Sequence, residues 1–268
     1  MVTTLFLFAA ALVGGALNAV AGGGSFIGVP ALLSVGIAPV AANATTTLAM
    51  WPGSLSSAVA YRREIVRARH WLVTLGAASL VGGMVGGWLL IRTPDQRFLR
   101  LLPWLMLAAS VTFTVGGRVA DRLLRRGKPS SETRATGAPR APSAPRAPSA
   151  PHAPVWILLF QLAIAIYGGY FGGGMGIMML AAFSIAGMVD IHEMNGLKTL
   201  LAVAINGVAL VEFIVTGAIA WAPGLIMVAG GIVGGYYGAF LARKIEGGVV
   251  RAIVIVIAWT MTAYFFVR

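Results

Sequence analysis

Ala21–Gly22–Gly23–Gly24–Ser25 interrupts the first apolar stretch of the chain. Phe171–Gly172–Gly173–Gly174–Met175 interrupts another, 150 positions later. Gly disfavours continuous helix, because it lacks a Cβ and loses the most backbone freedom on folding. Two other segments echo in the same order. Asn43–Ala44–Thr45–Thr46–Thr47 is matched by Asn195–Gly196–Leu197–Lys198–Thr199, offset by 152. Gly82–Gly83–Met84–Val85–Gly86–Gly87 is matched by Gly230–Gly231–Ile232–Val233–Gly234–Gly235, offset by 148. Duplicated breaks inside apolar sequence are the pattern of a transporter whose binding site lies between internal repeats.

Composition sets the class. The chain has 268 residues, of which 58% are hydrophobic and 10% charged, with mean hydropathy +0.86. So few charges exclude an ordinary water-soluble domain. Several apolar stretches are long enough to cross a hydrocarbon core of ~30 Å, which makes the chain an all-α polytopic membrane protein. The net charge of +12 sits in loops and one Pro-rich segment, where it marks membrane orientation and not a nucleic-acid surface. Cys is absent, which excludes disulfides and thiol chemistry. No Lys or Arg precedes the first apolar run, and that run is repeated internally, so it is read as mature structure and not as a signal peptide.

Three regions follow: a first membrane repeat over 1–120, a basic Pro/Ala-rich linker over 121–154, and a second membrane repeat over 155–268. Each repeat begins with an apolar run holding the triglycine, 3–35 and 155–187, too long for one span. Each run is therefore expected to fold back as a hairpin or re-entrant pair. Three spans should follow in each repeat: 41–60, 71–91 and 98–120, then 195–214, 222–242 and 249–267. A hairpin plus three crossings is an odd total, which inverts the second repeat. The basic loop with Arg62, Arg63, Arg67 and Arg69 reads as cytoplasmic, and its uncharged counterpart from Val215 to Pro223 as external. By parity both termini lie outside and the linker and Arg243–Lys244 inside, in the cytoplasmic membrane of a bacterium. The basic stretch from Arg92 to Arg100 is the one loop that fits this scheme poorly.

The candidate site is built from the breaks. A half-helix starting after a triglycine exposes unpaired N–H groups and a partial positive charge. Two such ends, at Gly22, Gly23, Gly24 and Ser25 and at Gly172, Gly173, Gly174 and Met175, could converge on one anion. The plainer alternative is tight helix crossing, and that role is assigned to Gly82–Gly87 and Gly230–Gly235. Asn43, Thr45, Thr46, Thr47, Asn195 and Thr199 supply neutral donors near the following helix starts, where Asn43 and Asn195 could equally be caps. Ser54 and Asn206 correspond at an offset of 152. Lys198 is the sharpest single candidate. An ammonium at membrane depth faces a cavity or a partner unless it snorkels. Glu212 lies fourteen residues further on, too far along a straight helix to pair with Lys198. Asp190, His192 and Glu193 lack the second His of a zinc-protease motif and read as a solvated turn.

Gly22–Gly24 followed by Pro30, then Asn43–Thr47, Gly172–Gly174 and Asn195–Thr199, form an ordered set over 10–91 and 160–243. This set resembles the sulfite exporter TauE/SafE family, also called the four-toluene-sulfonate uptake permease family. The resemblance implies a carrier of small organic or sulfur-containing anions, such as sulfite, thiosulfate and organosulfonates including sulfoacetate, with export as one direction. Lys198 departs from the small residue more common at that place, and the linker is unusually long. Partners are then a small anion and the lipid bilayer, with proton coupling and homo-oligomerisation left open and no nucleic acid. No Walker-type phosphate loop occurs, and no cofactor, metal or catalytic residue is expected. The competing classes are a passive anion channel, a non-transporting membrane assembly subunit, and a hydrolase using Ser25 with His192.

Overall fold

The computed structural model describes residues 2–126, 155–188, 190–242 and 247–267. Every element among them is a helix: α1 (Val2–Ala21), α2 (Ser25–Ser34), α3 (Pro39–Ala60), α4 (Arg62–Arg67), α5 (Arg69–Arg92), α6 (Asp95–Arg126), α7 (Val155–Tyr170), α8 (Met175–Ile185), α9 (Ile191–Val215), α10 (Trp221–Ala242) and α11 (Gly247–Val267). Among the described residues, Val2–Ala19, Arg69–Arg92, Asp95–Gly116 and Ile191–Val215 are long and apolar enough to cross a membrane. Four shorter apolar helices accompany them: Ser25–Ser34, Val155–Tyr170, Met175–Ile185 and Ala252–Val267. The expected linker and Arg243–Lys244 lie outside the described residues, apart from 121–126. Those six residues are helical and carry α6 past the expected end at 120.

The triglycines end α1 and α7 and start the short helices α2 and α8, as their composition implies. The basic loop holds a six-residue helix, α4, that the sequence reading did not foresee. A further correction concerns Asn43 and Asn195. Neither caps a helix, because α3 starts four residues earlier at Pro39 and α9 starts at Ile191 behind the N-cap Asp190. Asp190 accepts from the backbone N–H of His192 at 2.8 Å and of Glu193 at 3.3 Å. Pro39 is suited to the first turn, where its missing N–H costs nothing.

The two six-residue glycine stretches are crossing points between the halves. Gly230, Gly234 and Gly238 of α10 lie on Phe8, Leu12 and Ala16 of α1, in that order, so the two helices run parallel. Gly82 of α5 meets Leu162 and Ala165 of α7, and Gly86 meets Ile166 and Tyr170, again in parallel. Each half therefore packs its first helix against a late helix of the other half. Glycine lets the backbones touch, so dispersion and weak C–H···O contacts replace a hydrophobic drive that is absent in lipid. α3 packs on α9 and α6 on α11. Between these pairs Trp51 Nε1 donates to Val203 O at 3.1 Å, and the Ser110 and Thr262 hydroxyls lie 2.9 Å apart. Both pairs join residues separated by 152 positions.

A Cβ on Gly234 would overlap the Leu12 carbonyl, whereas one on Gly76 of α5 meets nothing within 4 Å. Gly234→Leu should therefore lower the thermal midpoint of the detergent-solubilised protein, with a loss of about 1–3 kcal/mol or more from forced overpacking. Gly76→Ala should leave it unchanged or raise it slightly, by up to about 1 kcal/mol, through higher helix propensity.

Candidate functional site

The breaks are bound to each other. Gly174 N–H donates to the Gly22 carbonyl at 3.2 Å. Gly22 ends α1 with φ +75°, and Gly172 and Gly174 adopt φ +82° and +84°. These are left-handed conformations that an L side chain reaches only at a cost. The second break is further pinned to the first half from two sides. Ser25 Oγ donates to Phe171 O at 3.3 Å, and Asn43 Nδ2 donates to Tyr170 O at 2.9 Å. The Tyr167 hydroxyl donates to Gly173 O at 2.7 Å. Phe26, Phe113 and Phe171 are buried around the pair, with Phe26 making edge contacts to the other two rings at 5.8 and 6.4 Å. The glycines thus sit between a polar clasp and an aromatic cushion.

Beside the clasp is a cavity of about 40 Å³, enough for a few water-sized occupants. Gly22 and Asn18 wall it from the first break, and Met175 and Gly176 from the start of α8. α3 contributes Ser54 and Ser57, and α9 contributes Lys198, Thr199, Ala202 and Asn206. The carbon stem of Lys198 crosses Gly176, where an added Cβ would stand 3.2 Å from Lys198 Cδ. Asn18 Nδ2 donates to Ser54 Oγ at 3.1 Å, which in turn donates to Met50 O at 3.2 Å. Thr199 donates back to Asn195 O at 2.7 Å. The lining is therefore one ammonium, amide and hydroxyl groups and the N-terminal backbone of α8, with no carboxylate. Such a set is complementary to a small anion.

Of the residues singled out from sequence, the fold brings Gly22, Met175, Lys198, Thr199 and Asn206 to this cavity, together with Ser54. The others lie around it. Gly23 faces Phe113, Gly173 faces Phe171, and Gly24 lies under Met50. Gly174 rests on Ala109, and Gly172 is close to both Ser25 and Asn206. Ser25 is occupied by Phe171 O, so only the α8 end, and not the α2 end, reaches the cavity. Thr46 and Thr47 donate within α3 to Ala42 O and Asn43 O, while Thr45 Oγ1 accepts from Ala220 N–H at 3.0 Å. Asn195 bonds Ile191 O in the first turn of α9. His192 is exposed at that helix start, which leaves the hydrolase pairing with the buried break without support. Among the described residues no group of three or more His, Cys, Asp or Glu could hold a metal.

Asn18, Ala19, Ser57, Gly176 and Ala202 were missed. Asn18 carried a readable signal, the one polar side chain of α1 beyond Thr4, one turn before the break. Ala202 carried none, since only its neighbours make a small residue informative. Glu212 lies away from this cavity, in a crevice with Trp88, Arg92 and Val215, its Oε2 buried against Gly87 without a hydrogen-bond partner.

These features define a polytopic membrane protein with a polar, cationic cavity at paired helix breaks, the architecture of a transporter. The chain belongs to the sulfite exporter TauE/SafE family, whose model matches residues 7–265. It is 25% identical over 258 residues to the probable membrane transporter protein YfcA of Escherichia coli K12, covering 96% of this chain and 87% of that one. A probable membrane transporter protein of Haemophilus influenzae is 28% identical over 261 residues, covering 96% and 92%. A third, the probable membrane transporter protein ORF9 of a Sinorhizobium species, is 25% identical over 254 residues, covering 94% and 88%. No solved structure matches the chain.

The three glycines of a break should differ in tolerance. A Cβ on Gly23 would meet nothing closer than Phe113 Cζ at 3.5 Å, so Gly23→Ala should leave the thermal midpoint nearly unchanged. Gly174→Ala must hold φ +84° and would press within 2.8 Å of Ala109 Cβ. It should destabilise by about 1–2 kcal/mol from the left-handed conformation alone, measured by thermal unfolding in the same detergent.

Proposed function

We propose that this protein is a secondary transporter that carries small sulfur-containing anions across the bacterial cytoplasmic membrane by alternating access. Sulfite, thiosulfate and organosulfonates such as sulfoacetate are the substrate class, and export is the direction suggested by the family's description. The observation that carries this reading is the cavity itself: one Lys198 ammonium, several neutral donors and a helix N-terminus, with no carboxylate among the lining residues. A small oxyanion uses that set fully, and a cation finds no counter-charge there. A cavity of about 40 Å³ is narrow for an open pore and suits a carrier that must rearrange to load.

Two inverted repeats are the mechanical basis of the proposal. α5 starts at the basic Arg69 end and α7 runs with it. α10 starts at the other end, where Ala220 bonds Thr45, and α1 runs with it. This supports halves that enter from opposite faces. Loop charge supports the basic Arg62–Arg69 face as cytoplasmic and both termini as external. On this reading the cavity opens toward one face and then the other as the halves rock about the bound breaks. Either a proton gradient or the anion's own gradient would drive it.

The test is uptake and counterflow in proteoliposomes with sulfite, thiosulfate, sulfoacetate, taurine and carboxylate controls, with and without a pH gradient. Carboxylates carried while every sulfur anion is ignored would overturn the substrate class. Lys198→Ala should weaken apparent affinity for the carried anion by about tenfold or more, the usual worth of a charge-assisted hydrogen bond. Unchanged affinity and rate would remove Lys198 from the site. Ala202→Met, which fills the cavity without touching charge, should abolish transport while leaving the protein folded by circular dichroism.

A further inference from the structure

The cavity is lined on α9 by Lys198, Thr199, Ala202 and Asn206, and at the corresponding place on α3 Met50 packs among glycines. Positions 152 apart meet across the contact between the halves, as Trp51 with Val203, Ser110 with Thr262 and Gly22 with Gly174 show. By the same offset, Ala202 of the cavity corresponds to Met50, and Lys198 corresponds to Thr46. Ala202 leaves room. Met50 does not: it is 5% exposed, and its thioether lies in a slot made by glycines of three segments. A Cβ on Gly24 would stand 2.8 Å from Met50 Sδ, one on Gly14 3.3 Å from Met50 Cε, and one on Gly231 3.9 Å from Met50 Cε. The same Gly24 position is 3.1 Å from Asn18 Cβ, and Asn18 lines the cavity. The slot therefore lies directly behind one cavity wall. Methionine, unbranched and polarisable, suits so irregular a space.

We infer that Met50 is the residue that sets the size of the anion this site accepts, by filling the first-half counterpart of the Lys198 cavity. With Met50 in place the cavity is a single lobe on the cationic side, sized for a compact anion. Its removal joins the glycine slot to the cavity and makes room for an organic tail beside Asn18. No charge changes, so the effect is on size and not on the preference for anions. The inference rests on the anion-cavity reading proposed above.

The chain contains no Cys, so a Ser54→Cys variant carries one thiol at the cavity wall and no background. Its rate of reaction is compared for three methanethiosulfonates: a neutral methyl reagent, a sulfonatoethyl reagent and a bulkier sulfonatobenzyl reagent. The small sulfonate should react much faster than the large one. Adding Met50→Ala should narrow that gap by about tenfold or more, in the range that a few methylenes of pocket space control. Met50→Leu, which refills the slot, should leave the gap as it was. A gap unaltered by Met50→Ala in protein that stays monodisperse, or altered equally by Leu and Ala, overturns the inference. Lys198→Ala should separately reduce the advantage of the sulfonatoethyl over the methyl reagent. If that advantage is absent from the outset, the anion-cavity reading fails and the assignment of Met50 falls with it.

Discussion

The hydrogen bond from Gly174 N–H to the Gly22 carbonyl joins the two points at which the chain abandons helix inside apolar sequence. A helix end in a low-dielectric interior leaves N–H and C=O groups that must find partners, and each unpaired one costs several kcal/mol in hydrocarbon, to order of magnitude. The two breaks answer part of that demand for each other. Ser25, Asn43 and Tyr167 answer more of it at the second break by bonding the carbonyls of Phe171, Tyr170 and Gly173. The second break therefore depends on the first half for its partners. The parallel seating of α1 on α10 and of α5 on α7 follows from the same demand for close approach, met by Gly234 and Gly86.

The repeated order of motifs makes the differences between the two stretches informative. At corresponding places along α3 and α9 stand Thr46 and Lys198, Met50 and Ala202, Ser54 and Asn206. The first half presents a hydroxyl turned back onto its own helix and a thioether packed among glycines. The second presents an ammonium and a space. Both breaks contribute to the clasp, and the second stretch alone places a cation in the cavity next to it. The cost of an ammonium in such a place is offset only if the cavity holds polar groups or an anion.

Much of the framework was legible in the chain. The breaks could be read because three consecutive glycines oppose helix wherever they occur, and the crossing role of Gly82–Gly87 and Gly230–Gly235 because small residues at helical spacing serve close packing. Lys198 could be read because a cation in apolar sequence is costly in any fold. Asn43 and Asn195 were misplaced because capping depends on where the helix begins, and Pro39 and Asp190 move those starts one turn earlier. Convergence of both half-helix ends on one anion was also expected. Ser25 turns toward Phe171 instead, a contact between residues 146 positions apart that no local pattern encodes.

By itself the sequence determined a membrane-embedded, all-helical chain with two broken helices, a duplicated order of motifs and one cation within reach of the second break. Each of these follows from local chemistry: hydropathy, the backbone freedom of glycine and the desolvation cost of charge. Tertiary structure decided which faces of the broken helices meet, that α8 and not α2 turns its start to the cavity, and that Asn18 and Ala202 belong beside Lys198. Those outcomes depend on side-chain volumes brought together from distant positions. A space exists at Ala202 because nothing else fills it, and none exists at Met50 because three glycines receive its thioether.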